Sequence, residues 1–122
     1  RKQLIAEVDG MPIGFVQIID PASEDSHYWG DVLNNLRAID IWIGDEKNLG
    51  KGLGTRMMHI AIAICFENTD AEGILLDPLA SNRKAHRFYE RFGFQPVERR
   101  KFGENECLVY RLNKKDWVSH PG

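Results

Sequence analysis

The sequence predicts an α/β (α+β) fold in which helices flank a mostly antiparallel central sheet. Two observations carry this. The chain opens on a hairpin pattern, "QLIAEVDGMPIGFVQII" at 3–19, and closes on two strand-like segments joined by a turn. Between them, short strand-like runs alternate with two helix patterns, each marked off by glycine. At 122 residues, with 43% hydrophobic and 28% charged residues, the chain reads as a single domain over 1–122 of ordinary globular composition.

In the first hairpin Leu4, Ala6 and Val8 alternate up to an Asp9-Gly10 turn, and Ile13 to Ile19 form the return strand. Residues 20–36 carry turn formers and no steady period, so they read as a long excursion of the kind that tends to be functional. "RAIDIWIG" at 37–44 is the next strand, with Ile39, Ile41 and Ile43 on one face and Ala38, Asp40 and Trp42 on the other. A helix is predicted from about Leu53 to Phe66, with "IAIAICF" at 60–66 on its buried side. "GILLD" at 73–77 is a short buried strand closed by Pro78. "SNRKAHRFYERFGF" at 81–94 reads as a helix with Ser81 or Asn82 near its N-cap and Gly93 as its stop. "FQPVERRKF" and "ECLVYRL" complete the sheet, joined at Gly103-Glu104-Asn105. The order is ββ–loop–β–α–β–α–ββ.

Composition excludes several functions. A net charge of −2 lacks the basic footprint of a nucleic-acid binder. No apolar run is long enough for a bilayer, and no signal-peptide pattern is present. Cys65 and Cys107 sit in apolar contexts without a CxxC, which predicts core thiols and a reducing, cytoplasmic setting. His27, His59, His86 and His120 show no metal spacing, so no metal is expected; His59 and His86 are placed on helix surfaces.

"NLGKGLGTRMM" at 48–58 sets three glycines within five positions and then turns into helix-forming residues. Glycine is costly in a helix, and amides at a helix start favour an anion. A P-loop needs Lys-Ser/Thr after its last glycine, whereas Leu53-Gly54-Thr55-Arg56 follows Gly52. A dinucleotide fingerprint needs GxGxxG in a parallel βαβ unit, and the spacing here is different. Two readings remain: the pyrophosphate arm of coenzyme A, or a purely structural glycine turn.

Three separate segments then resemble the GCN5-related N-acetyltransferase (GNAT) superfamily. "LGKGLGT" at 49–55 is similar to its acetyl-CoA pyrophosphate loop, and "SNRKAHRFYERFGF" to its downstream Asn–helix–Tyr–Gly-Phe motif. "RAIDIWIG" lies where the family places the strand that receives the thioester, so the likeness covers residues 37–94. Within the superfamily the chain resembles the aminoglycoside 6'-N-acetyltransferases. That likeness rests on residues 10–17, Asp25 with Tyr28-Trp29, the Arg37–Asp40 stretch and "DPLASN" at 77–82. Leu49 stands where the superfamily usually has Gln or Arg, which this branch also tolerates. The family's first strand and opening helices have no counterpart, so the domain is expected to be N-terminally incomplete.

The resemblance implies acetyl-CoA as co-substrate and a small-molecule primary amine as acceptor. Amides of Leu49, Gly50, Lys51, Gly52, Leu53, Gly54 and Thr55 would hold the pyrophosphate, Lys51 adding charge or simply being solvated. Asn82 would bond the pantetheine amide, cap its helix, or do both, and Ala85 would lie beside the coenzyme. Ile41, Trp42 and Ile43 would line the thioester, their N–H groups meeting the oxyanion if the strand bulges. Asp40, flanked by isoleucines, is expected to be buried. It would then bind the acceptor and take its proton, directly or through water, or form a salt bridge to a residue such as Arg37. Tyr89 would protonate the departing sulfur, or be a core aromatic like Phe88, Phe92 and Phe94.

Asp25, Asp77 and Trp29 would hold the acceptor; their plain readings are a loop charge, an Asp-Pro turn and a loop pin. Glu24, Asp25, Asp31, Asp40 and Asp77 would gather at one end of the sheet. Other implied acceptors are a siderophore hydroxylysine or a polyamine. A catalytically silent acyl-CoA-binding module is the rival from another class.

Overall fold

The computed structural model describes residues 2–8, 10–20, 35–43, 52–67 and 69–118. In chain order they form β1 (Lys2–Val8), β2 (Met11–Ile19), β3 (Leu36–Ile43), α1 (Leu53–Glu67), β4 (Gly73–Leu76), α2 (Arg83–Glu90), β5 (Gln95–Phe102), β6 (Asn105–Asn113) and α3 (Lys114–Val118). Among the described residues the expected order of strands and helices holds, with α3 added; five residues are too few for a helical period to register. The helix α2 is shorter than its sequence pattern. Asn82 caps it, and Gly93, at φ +97°, ends the turn that follows.

The strands lie in the order β1-β2-β3-β4-β6-β5. Every neighbouring pair is antiparallel except β3–β4, which is parallel. On one face Val16, Ile18, Ile39, Ile74, Leu76, Tyr110 and Leu112 receive Met57, Met58, Ala61, Ile62, Cys65 and Phe66 of α1. The 57/58, 61/62, 65/66 spacing is the helical period that makes one side of α1 apolar. The other face holds a second cluster of Leu36, Ala38, Leu75, Phe102, Cys107 and Val109. β4 is buried at all four positions because both faces are covered around it, which explains its unbroken apolar run. Each such aliphatic side chain contributes about 1.5–3 kcal/mol by leaving water.

Both cysteines are free and buried, as the sequence predicts. Burial pushes the Cys65 thiol up to about 12, so it stays protonated and unreactive.

One end of the β3–β4 pair is clamped. The Asn35 side-chain amide donates to Glu72 Oε2 at 2.6 Å, and the Glu72 N–H donates to the Asn35 carbonyl at 2.7 Å. A Cβ on Gly73 would stand 2.9 Å from Leu36 Cδ2, so a bare backbone lets the two strands meet here. Their other ends separate.

Candidate active site

The β3–β4 ladder consists of Leu36–Gly73, Arg37–Ile74 and Ala38–Leu75. β3 then continues to Ile43, paired with β2. Beyond β4 the chain instead follows β6. The Pro78 carbonyl accepts from the Leu108 N–H, the Ala80 N–H donates to the Glu106 carbonyl (both 2.9 Å), and Leu79 bridges Cys107. Among the described residues, Ile39 to Ile43 therefore have no strand partner on the side facing away from β2. Alternate backbone groups of this stretch point into a gap, as on any open strand edge. The condition set for residues 41–43, a bulge, is not met in the β2–β3 ladder: the register runs unbroken from Gly14–Ile43 to Ile19–Ala38. The opening comes from the departure of β4, and no distortion of β3 is needed.

The start of α1 presents backbone donors that have no partner within the helix. Gly52 takes φ +75°, a conformation costly for other residues, and its carbonyl accepts the first helical bond from the Arg56 N–H at 3.1 Å. The amides of Leu53, Gly54 and Thr55 follow as the first turn, which has no intrahelical acceptors. That turn carries no acidic residue, and among the described residues no side chain is bonded to these amides. Leu49, Gly50 and Lys51 lie outside the described residues.

Tyr89 stands on α2 in an aromatic cluster, its ring 5.5 Å from Phe88, 6.2 Å from Phe94 and 6.4 Å from Tyr110. Burial first, then the negative charges of Asp40 and Asp77, push its phenol up to about 12. The fold thus brings together a residue from β3, one just past β4 and one from α2. The core-aromatic reading of Tyr89 holds for its ring, and Asp40 and Asp77 both act on its phenol.

Asp40 corrects an expectation, because it is exposed. It shares its face with Trp42, opposite the buried Ile39, so water solvates it and no ion pair is required. Arg37 is engaged elsewhere, with Asp20 at 3.8 Å and the Leu36 carbonyl at 2.8 Å. Asn82 accepts from the Ala85 N–H at 3.2 Å, realising the cap and setting Ala85 in the first turn of α2. That bond uses only the side-chain oxygen, leaving the amide nitrogen for another partner. Ile41 packs against the α1-side core, while Trp42 stacks on Phe15 at 6.0 Å and 29°. Ile43 ends β3.

Asp25, Trp29, Glu24 and Asp31 lie outside the described residues, so the acidic gathering is described only for Asp40 and Asp77. His59 is exposed as expected, its ring edge 5.0 Å from Phe92. His86 is half-buried, its Nε2 2.9 Å from the Leu79 carbonyl, and so ties α2 to the segment after β4. Among the described residues, no three metal-binding side chains cluster and no helix is long and apolar enough to cross a membrane.

Sequence reasoning missed two participants. Phe15 stands opposite Trp42 in the β2–β3 register, a pairing invisible until the strands align. Glu90 accepts from the Tyr110 hydroxyl at 2.5 Å and anchors α2 to β6. The alternation of β2 placed Phe15 on one face, but nothing local named its partner.

The family model described as "Acetyltransferase (GNAT) domain" matches residues 1–102. The aminoglycoside N(6')-acetyltransferase type 1 of Klebsiella pneumoniae is 33% identical over 92 residues, 75% of this chain and 46% of that protein. A kanamycin resistance protein of Rhizobium radiobacter is 33% identical over 73 residues, 59% of this chain and 68% of that protein. The chain thus spans about half the length of the first of these relatives. The crystal structure of aminoglycoside acetyltransferase AAC(6')-Ib with coenzyme A and kanamycin superposes with a TM-score of 0.82 at 26% identity, covering 96% of this chain and 69% of that one.

Proposed function

This chain belongs to the GNAT acetyltransferase family, and from that premise we propose that it moves an acetyl group from acetyl-CoA to a primary amine, the 6'-amine of an aminoglycoside. The observation that carries the reading is the separation of β3 from β4, together with a helix that starts at a positive-φ glycine and a Tyr89 phenol that feels both Asp40 and Asp77. Relatives named for aminoglycoside acetylation and kanamycin resistance support the choice of acceptor.

Each residue then has a task. Amides of the first turn of α1, with the preceding Leu49, Gly50 and Lys51, hold the pyrophosphate, whose charge complements the helix dipole. The pantetheine lies in the gap, hydrogen-bonded to the open edge of β3 from Ile41 to Ile43, with Asn82 and Ala85 on its far side. Asp40 binds the acceptor ammonium and takes a proton from it, directly or through water. The freed amine nitrogen attacks the thioester carbon, so a C–N bond forms as the C–S bond breaks. Backbone N–H groups of β3 meet the oxyanion. Tyr89 gives its proton to the leaving sulfur, and the proton still carried by nitrogen passes to solvent or back to the phenolate. Asp77, with Asp25 and Trp29, holds the remaining charged part of the acceptor. A pool of acetyl-CoA places the reaction in the cytoplasm.

The test is thiol release by the full-length protein given acetyl-CoA and kanamycin, beside a panel of polyamines and hydroxylysine. Free CoA appearing with kanamycin is the expected result. Release only with another amine reassigns the acceptor, and tight coenzyme binding without thiol from any amine establishes the silent module.

A further inference from the structure

On the face of β1–β3 opposite α1, the strand registers align Ile5, Phe15 and Trp42 in one row and Gln3, Gln17 and Asp40 in the next. Trp42 is 54% exposed and Ile5 64% exposed, although the indole already stacks on Phe15. An exposed, braced indole two residues along the strand from a solvated carboxylate is a site for one chemical class: an organic cation with an apolar flank. The carboxylate draws the ammonium, and the ring face attracts both C–H surface and neighbouring positive charge. Asp40 and Asp77 both act on Tyr89, so two negative charges lie near this end of β3, which favours a cation there.

We propose that Trp42, braced by Phe15, is the platform on which the acceptor's ring lies while its ammonium meets Asp40; this rests on the acetyltransferase reading above. Trp42 thereby contributes through its side chain as well as its backbone. Acceptors carrying a ring are favoured over linear amines of equal charge. Phe15 acts through Trp42 as a positioning residue, holding the indole flat against the sheet.

Two measurements on the full-length protein decide the matter. In steady-state kinetics Trp42→Ala raises the kanamycin KM about tenfold, as expected for losing a cation–ring contact, and Trp42→Phe restores most of it. The same variant changes the KM for ethylenediamine, which has no ring, less than twofold, and Phe15→Leu raises the kanamycin KM about threefold. Kanamycin titration perturbs the tryptophan emission of a Trp29→Phe protein, and the response disappears when Trp42→Phe is added. Thiol release with an unchanged kanamycin KM in Trp42→Ala overturns this proposal and leaves the acetyltransferase reading intact. No thiol from any amine defeats the activity instead, and the emission titration still decides whether the cation sits on Trp42. An indole that is silent to kanamycin and closed to acrylamide means that other chain covers this face, and the proposal fails.

Discussion

Tyr89 and Tyr110 lie 6.4 Å apart, and both phenols are pushed up to about 12. Their surroundings differ. Tyr110, on β6 at the floor of the helical layer, is 1% exposed and donates to Glu90. Its shift comes from burial first and then from the Glu90 bond and charge. Tyr89, on α2, is shifted by burial first and then by two carboxylates that neighbour it only through the fold. The same residue type with a similar shift therefore serves two ends. One hydroxyl is used up in holding α2 to the sheet; the other keeps its proton, as the proposed acid role requires.

Breaking that contrast begins with Tyr89→Phe, expected to lower kcat about 100-fold, as loss of a general acid does, with little change in acetyl-CoA affinity. An unchanged kcat would remove Tyr89 from the acid role. Next in size is Asp40→Asn, which should cut kcat/KM for the acceptor about tenfold while the coenzyme Kd, read by calorimetry, stays within twofold. The opposite pattern would make Asp40 structural. Tyr110→Phe should leave kcat nearly intact and cost about 1 kcal/mol in urea unfolding, because exposed Glu90 can turn to water once the bond is gone. An equal kcat loss in Tyr89→Phe and Tyr110→Phe would erase the distinction.

The smallest effect is alkaline. In the unfolded chain the Cys65 thiol titrates near 9 and the phenols of Tyr89 and Tyr110 near 10, whereas all three hold their protons to about 12 when folded. The unfolded state thus loses protons first, so stability is full below pH 9 and falls as pH rises from there towards 12. The urea midpoint at pH 10.5 should lie below that at pH 8, with a shallower drop in Tyr110→Phe. The rate, by contrast, should show no falling limb centred on pH 10, where an ordinary tyrosine would be half ionised.

Local chemistry made much of this legible in advance. Strand alternation located the six strands to within a few residues, and Asn82 read correctly as a cap because a cap is settled within four positions. The glycine-to-helix transition was equally local: Gly52 needs positive φ, and the next three amides are free as a matter of helix geometry. Asp40 departs from the expected burial because the face it shares with Ala38 is covered at Ala38 but open at Asp40 and Trp42, which strand alternation does not show.

Other features had no local signature. Whether a strand edge is open depends on where its neighbour goes, and β4 leaves β3 because the segment after Pro78 bonds to β6, some thirty residues downstream. The meeting of Asp40, Asp77 and Tyr89, and the stacking of Trp42 on Phe15, likewise follow from pairings between distant segments. Element type and order were thus written in neighbouring residues, through backbone geometry and side-chain period. The opening between β3 and β4, the charges felt by Tyr89 and the Trp42–Phe15 stack were decided by tertiary packing, since electrostatic and contact energies depend on distance in space and not on separation along the chain.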